Sequence, residues 1–229
     1  MPVGQSAPKW DRLLSLAVHE FRTPVTVVAG YIRMLLKDRA GPLTPQQQRL
    51  LEEAEKSCAR LSALIAEMSE LSNLEAGTLT MNRGSVNVNA LLSEAVANLP
   101  PLPDRDVQIT VDGSEHDATV RADPVRLRNA LAAVFTALRR EVIDADRLVV
   151  RVRREDHAEP AAIRISVAGA DQIDSVEATD GSPGQFDEWR GGCGLSLAIA
   201  RRVIDSHEGR IWAPLQEAKT GAIITLPVE

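Results

Sequence analysis

Two cysteines, one tyrosine, three phenylalanines and three tryptophans in 229 residues leave this chain poor in side chains that staple, stack or ligate. Cys58 and Cys193 lie far apart and neither belongs to a CxxC or Cys/His cluster, which excludes a disulfide scaffold and the common zinc sites. Both read as reduced packing residues of a cytoplasmic protein. Aromatics make up only 3% of the chain, so bases have few platforms on which to stack, and 26 basic against 32 acidic residues give a net charge of −6. Nucleic acid is therefore a poor partner. The N-terminus lacks the basic start and apolar stretch of a secretory signal, and no apolar run reaches the roughly 18 residues of a membrane span. What the chain does have is 44% hydrophobic and 25% charged residues, enough to build a core and too apolar for disorder. Its length allows one large domain or two small ones.

From Lys9 to Lys37 the apolar residues recur at helical spacing, through Leu13, Leu16, Ala17, Val25, Val28 and Ile32. After the turn Arg39-Ala40-Gly41-Pro42-Leu43, Thr44 has the marks of an N-cap, with Pro45 at the first helical position and Gln47 completing a capping box. The second apolar stripe runs from Leu50 to Leu74, and Gly77 supplies a left-handed end. Each helix is about 30 residues, roughly 45 Å. A stripe that long exceeds what a two-helix hairpin buries alone, so a homodimer closing an antiparallel four-helix bundle is expected.

From Thr80 the texture turns to mixed α and β. Asn89 to Leu99 reads as a short helix, Val107, Ile109 and Val111 alternate as a strand, and Asp123-Pro124 opens a helix with Leu127, Leu131, Val134 and Leu138 inward. Strands follow at Leu148 to Val152 and Ile163 to Val167, then a long loop from Gly169 to Gly194. A helix from about Leu195 to Ser206 and strands near Arg210 to Trp212 and Ala222 to Val228 close the chain. The fold class is α+β. A helical hairpin over 9–77 precedes an α/β sandwich over 80–229, one sheet with helices on one face.

Within the first helix, His19-Glu20-Phe21-Arg22-Thr23-Pro24 breaks the rules of a helix interior. Pro24 removes a backbone donor and crowds the carbonyl of Glu20, so a kink is expected one turn from His19. His19 and Thr23 share a helix face with Glu20 beside them, so an imidazole, a carboxylate and a hydroxyl converge. Neutral imidazole is a nucleophile at physiological pH, and an adjacent carboxylate can orient it and take its proton. A lone helix histidine would ordinarily be only a solvated side chain, and Thr23 could merely back-bond to the preceding turn.

The hexapeptide resembles the H-box of the sensor histidine kinases of two-component signalling. Leu71 to Gly77 is similar to the end of their second dimerisation helix, Asp123 to Arg128 to the entry of their N-box helix, and Gly192 to Ile199 to their second glycine box. The resemblance implies a dimerisation and histidine-phosphotransfer domain followed by an ATP-binding domain, and a response regulator receiver domain as partner. It makes His19 the phosphoacceptor and Glu20 its activating acid. Glu20 and Thr23 match the Glu-x-x-Thr pattern with which the family dephosphorylates its regulators, the hydroxyl positioning water.

The ATP site departs from the family. The two N-box asparagines fall on Ala133 and Ala137, and the adenine-binding aspartate falls on Gly169. Alanine cannot hold the Mg²⁺ that bridges protein to triphosphate. Ser196 replaces a glycine, leaving Gly192, Gly194 and Arg140 as the residues that could hold a nucleotide phosphate. The loop from Asp171 to Glu188 carries Asp171, Asp174, Glu177, Asp180, Asp187 and Glu188 without a basic residue, an anionic lid that should repel polyphosphate. No cofactor is expected, ATP with Mg²⁺ entering only if this altered site still holds it. Three readings follow: a phosphotransfer or phosphatase protein fed by a regulator or a partner kinase, a working ATP-dependent kinase, or a dimeric interaction module without chemistry. The arginines between Arg126 and Arg154 read as a solvated face, His116, His157 and His207 as partnerless, and Trp10, Trp189 and Trp212 as packing residues.

Overall fold

A computed structural model describes residues 9–102, 106–113, 118–142, 146–157, 160–178, 184–214 and 221–229, with side chains from residue 13. Trp10's side chain, His116 and Asp180 lie outside this description. The chain divides into two units, Met1–Leu79 and Thr80–Glu229.

The first unit is a hairpin of α1 (Lys9–Leu36) and α2 (Pro45–Glu75). Asp38 and Gly41 take positive φ in the turn between them. Thr44 Oγ1 accepts the Gln47 N–H at 3.3 Å and Gln47 Oε1 accepts the Thr44 N–H at 2.9 Å, the reciprocal box that starts α2. Gly77, at φ 63°, stands just past its end. Helix α1 runs unbroken through Pro24, so the proline interrupts one rung of the hydrogen-bond ladder rather than the helix. Among the described residues of the hairpin only Val18, Ile32, Cys58, Ile65 and Ser72 are buried, while Leu16, Phe21, Tyr31 and Leu50 remain more than half exposed. One chain thus leaves most of the apolar surface of its own helices uncovered.

The second unit begins with β1 (Gly84–Asn87), whose last residue caps α3 (Val88–Ala97) by accepting the Ala90 N–H at 3.0 Å. Strands β2 (Gln108–Asp112) and β3 (Thr119–Ala122) precede α4 (Pro124–Glu141), and β4 (Arg147–Glu155) and β5 (Ala162–Gly169) follow it. The chain continues with α5 (Ile173–Glu177), a 3₁₀ turn at Arg190–Gly192, α6 (Ser196–Ser206), β6 (Arg210–Trp212) and β7 (Gly221–Pro227). β1 pairs antiparallel with β3, and the main sheet runs β2-β4-β5-β7-β6, antiparallel except for β2 on β4.

Alternation divides the main sheet into two faces. On one, Val150, Val167 and Ala222 lie in register, as do Val152, Ile165 and Ile224, all buried; the inward residues Leu127, Leu131, Val134 and Leu138 of α4 and Leu197, Ala200 and Ile204 of α6 supply their cover. The other face carries Arg151, Arg164, Ser166, Ala168 and Ile223, and here Ile173 and Val176 of α5 pack on Ala168 and Ile223, with Val149 and Trp212 against them. Helices therefore lie on both faces, not one as the sequence pattern suggested. A five-residue helix is too short to show a period within a polar loop.

Candidate functional site

Val18 is buried in the hairpin, and the helical advance of 100° per residue carries the following residues out of that contact, so His19, Glu20 and Thr23 are all exposed. All three occupy adjacent turns of α1. The hydroxyl that back-bonds here belongs to Thr26, which donates to the Arg22 carbonyl at 2.8 Å. Pro24, lacking an N–H, leaves the Glu20 carbonyl without its helical donor. The turn thus presents a nucleophilic ring, a carboxylate and a hydroxyl to solvent.

In the second unit Ala133 is half-buried and Ala137 fully buried. Gly191, at φ 66°, lies over Ala137 so closely that a Cβ on it would stand 3.0 Å from the Ala137 Cα, Cβ and O. Arg140 Nη1 donates to the Gly191 and Gly192 carbonyls at 3.3 and 3.1 Å. Arg190 Nε donates to both oxygens of Glu141 at 2.9 Å, and its Nη1 donates to the Gly221 carbonyl at 3.2 Å. The structure therefore brings Arg140 and Gly192 together through a backbone carbonyl. Gly194 stays exposed, at φ 62°, before α6. Gly169 ends β5, and its carbonyl accepts from Gln172 at 2.9 Å as the chain turns toward α5 on the reverse face. The donors at this cleft do not fit a magnesium triphosphate. Two methyl groups stand where oxygen ligands are needed, and the nearby guanidinium is bonded to the main chain.

The acidic lid is not free. Arg151 Nη1 donates to Asp174 at 2.6 Å and Glu177 at 3.2 Å, its Nε donates to Asp112 at 2.9 Å, and Arg153 pairs with Glu177 at 2.6 Å. These carboxylates, Asp174 and Glu177 foremost, hold Arg151 charged. Glu188 is gripped by Arg201 and Arg202, and Asp187 accepts the Trp189 N–H at 2.9 Å. The arginines predicted as a solvated face divide likewise, Arg139 being buried with its Nη1 on the Pro100 carbonyl at 3.1 Å. Trp212 packs as expected, whereas Trp189 is 73% exposed.

His207 has partners that the sequence did not reveal. Buried after α6, its Nε2 accepts the Asp123 N–H at 2.9 Å and its Nδ1 donates to the Val203 carbonyl at 2.7 Å, which assigns the neutral tautomer. Burial holds its pKa below the ordinary histidine value. Burial also pushes the Asp123 carboxyl up, but the Arg126, Asn82 and Val125 N–H groups and the Arg126 charge prevail and hold it below the ordinary range. His207 thereby fixes the start of α4, the helix that carries Ala133 and Ala137.

The comparisons bear on both units. Residues 9–77 match the His Kinase A (phospho-acceptor) domain, which places His19 inside a phospho-acceptor hairpin. Along most of its length the chain is similar to sensor histidine kinases. It is 29% identical over 214 residues to the sensor protein GacS of Pseudomonas syringae pv. syringae, a match covering 84% of this chain and 22% of that protein. The chain thus spans about a fifth of that relative's length. Among solved structures, full-length ShkA in complex with AMPPNP superposes with a TM-score of 0.68 at 21% identity, over 96% of this chain and 46% of that one. The Acinetobacter baumannii histidine kinase AdeS gives 0.59 at 20% identity, over 92% and 98%. At these identities the likeness is one of fold. The helical hairpin and the α/β unit have the mixed fold of these two structures. Among the described residues no helix is long and apolar enough to cross a membrane.

Proposed function

We propose that this chain exchanges a phosphoryl group between His19 and the aspartate of a response regulator receiver domain, without drawing on ATP. The observation that carries the reading is the contrast between an exposed His19-Glu20-Thr23 turn in a matched phospho-acceptor hairpin and a cleft whose donor set does not fit magnesium triphosphate. In the transfer, a ring nitrogen of His19 attacks phosphorus, the aspartyl P–O bond breaks, and the regulator's carboxylate leaves. The proton on the other ring nitrogen passes to Glu20. In the hydrolytic branch Thr23 holds a water in line with the aspartyl phosphate, and Glu20 accepts its proton.

The uncovered apolar residues of α1 and α2 support a homodimer, in which two hairpins bury them against each other. The decisive experiment incubates the purified chain with a phosphorylated receiver domain and, separately, with labelled ATP and Mg²⁺, beside His19→Gln. Acid-labile label gained from the receiver only, and only with His19 present, is the expected result. Label from ATP would make the chain an autokinase, and label from neither source, with the receiver's phosphate left intact, would make it an interaction module.

A further inference from the structure

We propose that the turn Trp189–Gly194 is an internal plug, so that the cleft in which the family resemblance places a nucleotide's phosphates is occupied by the chain's own backbone. The proposal rests on that identification of the cleft and is independent of the phosphate chemistry at His19.

The contact between Gly191 and Ala137 is the centre of the plug. A side chain at 191 would be disfavoured twice, by φ 66° and by the 3.0 Å approach to Ala137 Cα, Cβ and O. A larger residue at 137 would meet the same backbone from the other side. The alanine that removes a metal-ligating amide is thus also the residue small enough to let the turn lie against α4. Two arginines then bolt it down. Arg140, on α4, reaches up to the Gly191 and Gly192 carbonyls at 3.3 and 3.1 Å. Arg190, on the turn itself, reaches down to both oxygens of Glu141 at 2.9 Å and lies 5.9 Å over the Phe186 ring. Each guanidinium satisfies groups that would otherwise need water or a ligand, and the Arg190 fork on Glu141 is the strong, bidentate kind of ion pair, partly sheltered from solvent. An anion entering here would have to displace the Arg140 bonds and separate the turn from α4.

Cys193, at the end of the turn, reports on the plug. Its Sγ is 3.5 Å from the Gly191 carbonyl and 3.6 Å from Arg140 Nη1, so an aromatic disulfide reagent reaches it faster when the turn lifts. The experiment uses the full chain carrying Cys58→Ser, leaving one thiol, and follows its reaction with 5,5′-dithiobis(2-nitrobenzoate). Ala137→Asn forces the turn off sterically, and Glu141→Gln, at nearly unchanged volume, removes the charge that Arg190 grips. Both are expected to raise the labelling rate about twofold to threefold, because lifting the turn uncovers a thiol that is half-buried in the closed form. Circular dichroism confirms that each variant is folded. Unchanged labelling in folded Glu141→Gln and Ala137→Asn overturns the plug. So does slowing of the unsubstituted turn's labelling by millimolar ATP with Mg²⁺, since a nucleotide would then share the cleft with it. None of these outcomes depends on phosphate at His19, so the plug and the phosphotransfer reading fail separately.

Discussion

The His19 turn of α1 and the candidate nucleotide site of the second unit pose opposite problems of assembly. His19, Glu20 and Thr23 come from one stretch of helix, so register alone carries them to solvent, and no long-range contact is required to assemble them. The cleft draws on α4, the end of β5 and the segment before α6, elements far apart in sequence. A site assembled from one element survives change elsewhere in the chain. A site assembled from several depends on where each contributor turns, and the chain after Gly169 turns to pack α5 on the reverse face. What lies against Ala137 on α4 is backbone, at Gly191.

That contrast can be broken or sharpened by experiment. The largest effect is expected at His19: His19→Gln should abolish label gained from a phosphorylated receiver domain while leaving the melting curve unchanged, since the ring is exposed. Glu20→Gln should retain the acceptor and slow transfer by about 10²-fold, the ordinary worth of a general base. Next, restoring both amides with Ala133→Asn and Ala137→Asn should leave labelling from ATP below detection, because Gly169 still offers no carboxylate to a base. Label in that variant would show that the cleft lacks only two side chains.

At His207 the effect is on stability. His207→Ala should cost about 2–3 kcal/mol by orphaning the buried Asp123 N–H and leaving a void, read as a shift in denaturant midpoint. The same ring sets a pH window. Because the folded state binds its proton less readily than the unfolded state, its contribution is fully present above the ordinary value near 6.5 and declines as pH falls below it. The midpoint of the parent chain should therefore drop between pH 7.5 and 5.5 by more than that of His207→Ala. The smallest effect is at the box that starts α2, where Thr44→Ala should cost about 1 kcal/mol of hairpin stability and leave the second unit's transition in place.

Much of this was legible in the residues. The two long helices, the Thr44–Gln47 box and the helical placement of His19 to Pro24 depend on contacts within a few residues, and each stands where the pattern put it. The alternating strands β4 and β5 are similarly self-announcing, because burial on one face forces a period of two. What escaped the sequence depends on distant partners. β1 and β3 have four residues each, too few to show alternation. The carboxylates of the supposed lid looked unopposed because Arg151 and Arg201 lie on other elements. His207 seemed idle because its acceptor role is toward the backbone of Asp123, a group with no signature in the sequence. Trp189 was expected inside and stands outside, since hydrophobicity ranks a residue's preference and does not fix its place.

The reverse face of the main sheet has a consequence of its own. α5 is held there by a small apolar patch and by Arg151, one side chain bridging carboxylates on β2 and on α5. The opposite face is held chiefly by apolar burial, in a layer rich in Val, Ile and Leu. The two sides of one sheet therefore respond to different solvents. Salt screens the half-exposed charges around Arg151 over a Debye length of about 8 Å at physiological ionic strength and about 3 Å at 1 M, while sulfate and other excluded solutes tighten the aliphatic layer. High salt therefore loosens the short helix while the main core holds or tightens, so the two sides of the sheet respond to the same solute in opposite senses.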